Sequence, residues 1–398
     1  MSTNSPMAEM NVPTQALHDW CVRLFADAGS DAEEARLLAD HLVGANLAGH
    51  DSHGVGMIPM YIDSLLAGEL QLNQRIEVVV DTGAMLIVDG RRGLGQAIGY
   101  QAMALAIERA REHGVALLGL RNAHHIGRVG HWAEQSVAAG MGSIHFTNAV
   151  STFAKVAPYG GSQARYLTNP FSVGFPVPGG DPIVLDYATS AIAVGTVRVA
   201  YNKQVPVPDG CLIDPDGRPS NDPALLFEQP EGALRTFANH KGHALALVCE
   251  LLGAALTGGE TFRESGPRPT TGTWNNMFTV VFDPARLGTA QRFGEETRRF
   301  GVGAFVAPVR RDRSHHGAGR SRATDAHRAC RAHADRRRHD DPDGCGRGQD
   351  PRLARQEPWA AVGAGRLGAR PPIARHAGVR RSAAGIRHRP ENRTAPRV

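Results

Sequence analysis

Apolar residues recur at helical intervals over about 13–28 and 31–48, and this pattern predicts two amphipathic helices. The second opens with Ser30 three residues ahead of Glu33, a capping-box spacing. A third helix follows Gly54 and carries Ile58, Tyr61, Ile62 and Leu65 at core-facing positions. Further along, 85–88 reads as a strand that leads through a glycine turn into a long helix over about 96–113. Residues 115–120 and 144–147 read as buried strands, with more strands expected near 172–177, 183–185 and 277–282. Residues 245–256 lie on an apolar helix that starts near Lys241, and Cys249 falls on it as a core residue. Strands and helices alternate irregularly, which predicts an α/β or α+β fold with a mixed sheet.

Length and charge change this picture in one respect. The 398 residues leave ample chain for two or three domains. The net charge of +5 conceals two unlike parts. Residues 310–398 hold 22 Arg, no Lys and nine acidic residues, a balance of +13, which leaves residues 1–309 at −8. No apolar run reaches the roughly 18 residues of a membrane-spanning helix, and the start of the chain lacks a signal-peptide pattern. Five scattered cysteines give neither a disulfide framework nor a zinc spacing, so a reducing, cytoplasmic setting is expected.

Candidate chemistry begins at Gly49-His50-Asp51-Ser52-His53-Gly54, where two imidazoles, a hydroxyl and a carboxylate fall between glycines. Histidine titrates nearest neutral pH and is the natural proton carrier. The plainer reading is a cap, Asp51 or Ser52, on the helix that starts near Val55. A second cluster, Asn122-Ala123-His124-His125-Ile126-Gly127 with His131 beyond it, comes after a strand. Adjacent side chains alternate along an extended segment, so one of His124 and His125 faces a site while the other packs or caps. No His pair at i, i+4 with a nearby Glu is present, and no metal is expected.

Gly93-Leu94-Gly95-Gln96-Ala97-Ile98-Gly99 looks like a dinucleotide fingerprint, but its third glycine comes one residue late and no acidic residue closes the next strand. It reads instead as a tight turn and a helix start. Groups suited to a nucleotide lie elsewhere: Thr168 and Asn169 before a strand, and Asp186, Tyr187 and Ala188 at a strand end. His240 and Lys241 stand at the start of an apolar helix, where a cation opposes the helix dipole and hints at an anion. The bland alternative for Lys241 is a solvated surface residue, although only Lys155, Lys203 and Lys241 occur in the chain.

In order, Asp51-Ser52-His53-Gly54-Val55, Asn122 to Gly127, Ala157-Pro158-Tyr159-Gly160-Gly161, Thr168-Asn169-Pro170, Leu185 to Thr189, Lys241-Gly242 and Asn275-Asn276-Met277 form one series. This series resembles the malate/L-lactate dehydrogenase family, which is unrelated to the Rossmann-type lactate and malate dehydrogenases. Its members include ureidoglycolate, sulfolactate and diketogulonate oxidoreductases. The resemblance covers about residues 13–305. It implies hydride exchange between NAD or NADP and a small 2-hydroxy or 2-oxo acid. It also implies a largely antiparallel sheet in a non-Rossmann nicotinamide-binding domain, a helical domain formed mainly by the N-terminal segment, and a homodimer. The corresponding divisions are 1–75, 76–309 and 310–398.

The resemblance makes His53 the acid/base position and His125 a second catalytic histidine. Ser52 and Asn122 would bind or orient substrate. Ala149, Thr168, Asn169, Asp186, Tyr187, Ala188, His240 and Lys241 would meet the cofactor.

Two departures stand out. Many members carry a substrate-gripping Arg four residues after the site histidine, where this chain has Met57, and Met60 fills another such position. Arg121, Arg128 and Lys155 are the candidate replacements. From about Arg310 the family's Val-Pro-Gly-Glu-like cofactor segment is missing. The Arg-, Ala- and Gly-rich sequence there has the composition of GC-rich DNA translated out of frame. Two rival readings are a basic tail that binds nucleic acid, for which aromatic interleaving is lacking, and a folded but catalytically impaired body.

Overall fold

A computed structural model of the chain describes residues 12–263 and 266–306. The expectations for residues 310–398 lie outside the described residues. Helices α1 (Thr14–Asp27), α2 (Ala32–Leu47) and α3 (Ile58–Leu66) come first, followed by strands β1 (Glu77–Asp81) and β2 (Met85–Asp89). Then come α4 (Gly95–His113), β3 (Val115–His124), α5 (Gly130–Ala138), β4 (Gly142–Ser151), β5 (Phe171–Phe175), β6 (Ile183–Tyr187) and α6 (Val194–Lys203). The short strands β7 (Leu212–Ile213), β8 (Pro219–Ser220) and β9 (Ala233–Leu234) precede α7 (His240–Glu250), β10 (Thr273–Phe282) and α8 (Ala290–Val306).

The main sheet has seven strands in the order β1-β2-β3-β10-β4-β5-β6. Only β2 and β3 run parallel; every other pairing in it is antiparallel. The mixed, largely antiparallel sheet therefore stands. Long α4 supplies the crossover that a parallel pair requires. Between the sheet and α4 and α5 lies the main core, with Ile98, Met103, Leu118, Leu120, Trp132 and Met277 fully enclosed. Each such side chain contributes about 1.5–3 kcal/mol of apolar burial.

A second core gathers Phe25, Leu38, Leu42, Ile58 and Tyr61 from the first three helices, with Leu94 from the start of α4. Through Leu94 the helical segment is seated on the sheet layer. A third core, Val156, Val197, Leu212, Leu226 and Leu234, supports the small sheet.

The helix start at α2 differs from the spacing-based expectation. Asp31 is the cap and accepts from the Glu34 amide at 2.8 Å, while Ser30 Oγ donates to the Glu34 carboxylate at 2.8 Å. Burial dominates at Glu34 and raises its pKa, so the Ser30 contact serves a buried carboxyl instead of the backbone. Strand β1 carries no apolar/polar alternation of burial because all five of its residues are exposed.

Candidate active site

Residues 51–53 and 55–57 form two successive 3₁₀ turns between α2 and α3. Neither Asp51 nor Ser52 caps these turns or α3, which corrects the capping reading. Asn46, on α2, takes that role: its Oδ1 accepts from the Val55 amide at 2.9 Å and its Nδ2 donates to Asp51 at 2.7 Å. Gly54 is required here, since a Cβ on it would stand 2.2 Å from Asn46 Oδ1. With the backbone satisfied by Asn46, the Ser52 hydroxyl is left for His53, and Oγ lies 2.9 Å from Nδ1.

His125 arrives from the other side, on the loop after β3. That loop lies directly on the start of α4, where a Cβ on Gly95 would stand 2.2 Å from the His125 carbonyl oxygen and 2.5 Å from that of His124. The fingerprint-like glycines therefore belong to a tight turn and helix start: Gly95 allows the close backbone approach, while Gly93 and Gly99 leave room for the side chains of Ile98 and Trp132. The two imidazoles stack, with ring centroids 5.5 Å apart and planes 17° from parallel. Tyr61 holds the second ring through a 2.8 Å contact between its hydroxyl and Nδ1, and Gln96 Nε2 donates to the same hydroxyl at 2.8 Å. A hydroxyl that accepts from Gln96 has its own proton for His125, so Nδ1 accepts and Nε2 carries the ring proton. Among the described residues neither His53 nor His125 has a hydrogen-bond partner at Nε2.

His124 packs away from this pair. It is fully buried, edge-on to Tyr61 at 5.7 Å, and neither ring nitrogen has a partner. Burial pushes the His53 pKa down to about 4, and the charges of His50 and Arg128 add to that. Burial also takes His125 well below the ordinary value, helped by His53 and His124. Two neutral imidazoles therefore face each other at neutral pH. An incoming anion would supply the charge that restores their proton affinity.

The groups expected to meet a cofactor cluster around the end of β6. Asp186 Oδ2 is buried without a hydrogen-bond partner, 3.6 Å from His50 Nδ1 and 3.8 Å from Arg128 Nη1. Its pKa is raised by burial, which outweighs the opposing pull of His50. The segment beyond Tyr187 reaches the histidine site directly, since a Cβ on Gly195 would stand 2.3 Å from Ser52 Cβ. Phe237, just before α7, donates its amide to Thr189 O at 3.1 Å and stacks edge-on with Tyr187 at 5.3 Å. Lys241 is exposed in the first turn of α7 and has no ionic partner among the described residues, while His240 lies 5.9 Å from the Tyr159 ring. Ala188 is half-buried beside Thr189, whose amide and hydroxyl both donate to Thr168 O.

Three other expected contacts are turned inward. Asn169 is fully buried; it donates to Glu250 at 2.7 Å and accepts from the amide of Ala149, itself buried, at 3.2 Å. Asn122 gives its side-chain amide to Asp89 at 2.8 Å. Met57 packs half-buried on the core of the first helices.

Each candidate substitute for the missing Arg already has a carboxylate. Arg121 pairs with Asp89 at 2.8 Å, Lys155 with Glu231 at 3.3 Å, and Arg128 with Glu134 and more distantly with Asp186. Of the three, only Arg128 depresses the His53 pKa. Among the described residues no three His, Cys, Asp or Glu side chains are arranged to hold a metal ion.

The sequence reading missed Tyr61, Gln96 and Asn46. A tyrosine on a core-facing stripe was the available signal, because a buried phenol needs a partner for its hydroxyl.

The model of the malate/L-lactate dehydrogenase family matches residues 12–325. Hydroxycarboxylate dehydrogenase B of Escherichia coli K12 is 50% identical over 275 residues, 69% of this chain and 76% of that protein. Among solved structures, sulfolactate dehydrogenase from Methanocaldococcus jannaschii aligns with a TM-score of 0.68 at 30% identity, covering 76% of this chain and 86% of that one. The Δ1-piperideine-2-carboxylate reductase of Pseudomonas syringae aligns with a TM-score of 0.67 at 35% identity, covering 74% and 90%. On a match that spans the histidine pair, both large cores and the whole seven-stranded sheet, the chain belongs to the malate/L-lactate dehydrogenase family.

Proposed function

We propose that this chain is an oxidoreductase that moves a hydride between a nicotinamide cofactor, NAD or NADP, and the CH–OH or C=O carbon of a small 2-hydroxy or 2-oxo acid. The observation that carries this reading is the stacked pair His53 and His125, each anchored at Nδ1 by a hydroxyl and open at Nε2.

The groups near the end of β6 suit a nicotinamide dinucleotide. To a donor such as an amide or ribose hydroxyl, Asp186 offers a buried carboxylate oxygen that has no hydrogen-bond partner, and Lys241 offers a cation to phosphate. Tyr187, Ala188, Thr168 and His240 line the same region, and Ala149 and Asn169 brace it from within. When bound, the cofactor supplies or accepts the hydride.

The chain's own residues handle the proton. In reduction, a ring charged to imidazolium beside the bound substrate carboxylate gives its Nε2 proton to the carbonyl oxygen as that oxygen gains charge, and is left neutral. In oxidation, the bare Nε2 of a neutral ring takes the hydroxyl proton, a role open to His53 because the Nε2 of neutral His125 already carries its proton. Ser52 and Tyr61 hold the two rings so that Nε2 faces the reacting oxygen. Arg128, whose charge is felt at His53 and whose side chain is only 8% exposed, attracts the substrate carboxylate in place of the arginine that Met57 replaces, sharing its guanidinium between the substrate and Glu134. We extend the reading to a homodimer, which light scattering on the purified chain tests by mass.

The direct test is a screen of 2-oxo acids with reduced NAD and NADP, followed at the nicotinamide absorbance. The expected outcome is turnover with at least one small 2-oxo acid and loss of it in His53→Ala. Absence of turnover with every acid and both cofactors would overturn the proposal.

A further inference from the structure

Asn275 and Asn276 belong to the motif series, yet neither has a place in the chemistry above. Their surroundings assign them one. Strand β10 pairs with β4 without interruption from Thr273 to Phe282. Against β3 its register slips: Asn275 faces Ala123 while Met277 faces Leu120, so β3 carries one extra residue. That bulge holds Asn122, whose φ of 55° is left-handed, a conformation that asparagine tolerates better than most residues.

Side chains alternate along a strand, so an inserted residue exchanges the faces of everything beyond it. The bulge thus sets the face of His124, opposite Trp274, and the next residue, His125, is the one that meets His53. It also takes the Asn122 amide out of the ladder, while the Ile126 amide lies beyond the strand end, and the two asparagines serve these amides. Asn276 Oδ1 accepts from the Asn122 amide at 2.9 Å, and Asn275 Oδ1 accepts from the Ile126 amide at 2.9 Å.

Both carboxamides are held at the other end too. Asn275 Nδ2 donates to Asn148 O at 2.9 Å, and Asn276 Nδ2 donates to Asn148 Oδ1 at 2.9 Å and Glu260 O at 3.2 Å. Asn148 in turn donates to Glu250 of α7 at 3.3 Å. Both asparagines are almost fully buried, so no solvent competes for these bonds.

We propose that Asn275 and Asn276 are positioning residues for the reaction: they lock the β3 bulge and thereby fix which histidine faces the substrate. The catalytic part of this rests on the function proposed above; the structural part does not.

The test compares Asn275→Ala and Asn276→Ala with Thr279→Val in the full chain. Thr279 lies on the same strand and bonds His145 at 3.0 Å, away from the loop, so its loss destabilises without touching the site histidines. Hydrogen exchange by mass spectrometry over 120–127 reads the lock, kcat reads the chemistry, and reduced-nicotinamide fluorescence reads cofactor affinity.

In both asparagine variants, exchange of 120–127 is expected to speed at least tenfold while 142–151 stays within about twofold. kcat is expected to fall about 10- to 100-fold with cofactor affinity nearly unchanged. Thr279→Val should match wild type in the loop and in kcat. Wild-type exchange over 120–127 in both variants would overturn the proposal, as would an equal effect from Thr279→Val. Should an alanine variant not fold, Asn275→Ser and Asn276→Ser are read by the same criteria. If wild type itself turns over no hydroxy acid, the proposed function fails while the exchange comparison still decides the lock.

Discussion

The hydroxyl of Tyr61 lies 2.8 Å from Nδ1 of His125 and accepts a hydrogen bond from Gln96 on its other side. This arrangement leaves the ring proton of His125 on Nε2, the nitrogen open to a substrate. Tyr61→Phe keeps the ring but removes the hydroxyl. We expect kcat to fall about 10- to 100-fold through a misoriented imidazole. The lost buried bond should cost about 1–2 kcal/mol of stability. Steady-state kinetics and urea titration read the two effects separately, and a wild-type kcat would refute the tautomer argument.

Acid should destabilise the fold well before ordinary carboxylates titrate. His53 and His124 are held to about 4 and His145 to about 3, with His41 and His125 also well below the ordinary value, in each case chiefly by burial. Unfolded histidines titrate near 6.5, so from there down to about 4 the unfolded chain binds protons that the native chain refuses. Stability therefore rises with pH across this window, by up to about 1.4 kcal/mol per pH unit for each histidine. Glu34, Asp186 and Glu250, raised mainly by burial, act in the opposite sense. The melting temperature is expected to drop steeply from pH 7 to pH 5, and His145→Gln should flatten the slope. A flat profile would contradict this account.

Gly95→Ala should disturb the site without altering any polar group. The added methyl would meet the His125 carbonyl oxygen at 2.2 Å, so the histidine loop has to move off α4. Overpacking of this kind costs about 1–3 kcal/mol. The variant is expected to lose most of its turnover while keeping its circular dichroism spectrum. Retained turnover would show that the loop has other room.

Asn46→Ala removes the acceptor for Val55 and the donor for Asp51 together. A lost cap of this type costs about 0.5–2 kcal/mol. Because the same turn carries Ser52 and His53, kcat/KM should fall by more than the change in stability explains at the assay temperature. Equal kcat/KM in the variant would separate the turn from the chemistry.

Most of the framework is legible in the sequence because burial has a period. Helices α1, α2 and α4 fall within about two residues of their expected positions, and α3 starts three residues after Val55. The core strands stand where expected and mostly run longer, except β5, which ends at Phe175. Strand β1 is invisible to this reading because all five of its residues are exposed, so its apolar run carries no alternation. The histidine cluster is readable as chemistry, and the division of labour between His124 and His125 follows from alternation. What alternation leaves open is which of the two faces the site, because the bulge at Asn122 arises from pairing with a strand some 150 residues away. Asn46, Tyr61 and Gln96 are hidden for the same reason: each acts through a partner distant in sequence or across a turn.

The central claim is that the stacked imidazoles carry the proton. Its most direct test is kcat for oxidation of the reduced cofactor by the best 2-oxo acid, in wild type, His53→Gln and His125→Gln, alongside cofactor binding by fluorescence. The account predicts a loss of at least about 100-fold in kcat for each variant, with cofactor affinity within about threefold of wild type. Wild-type kcat in both variants would contradict it.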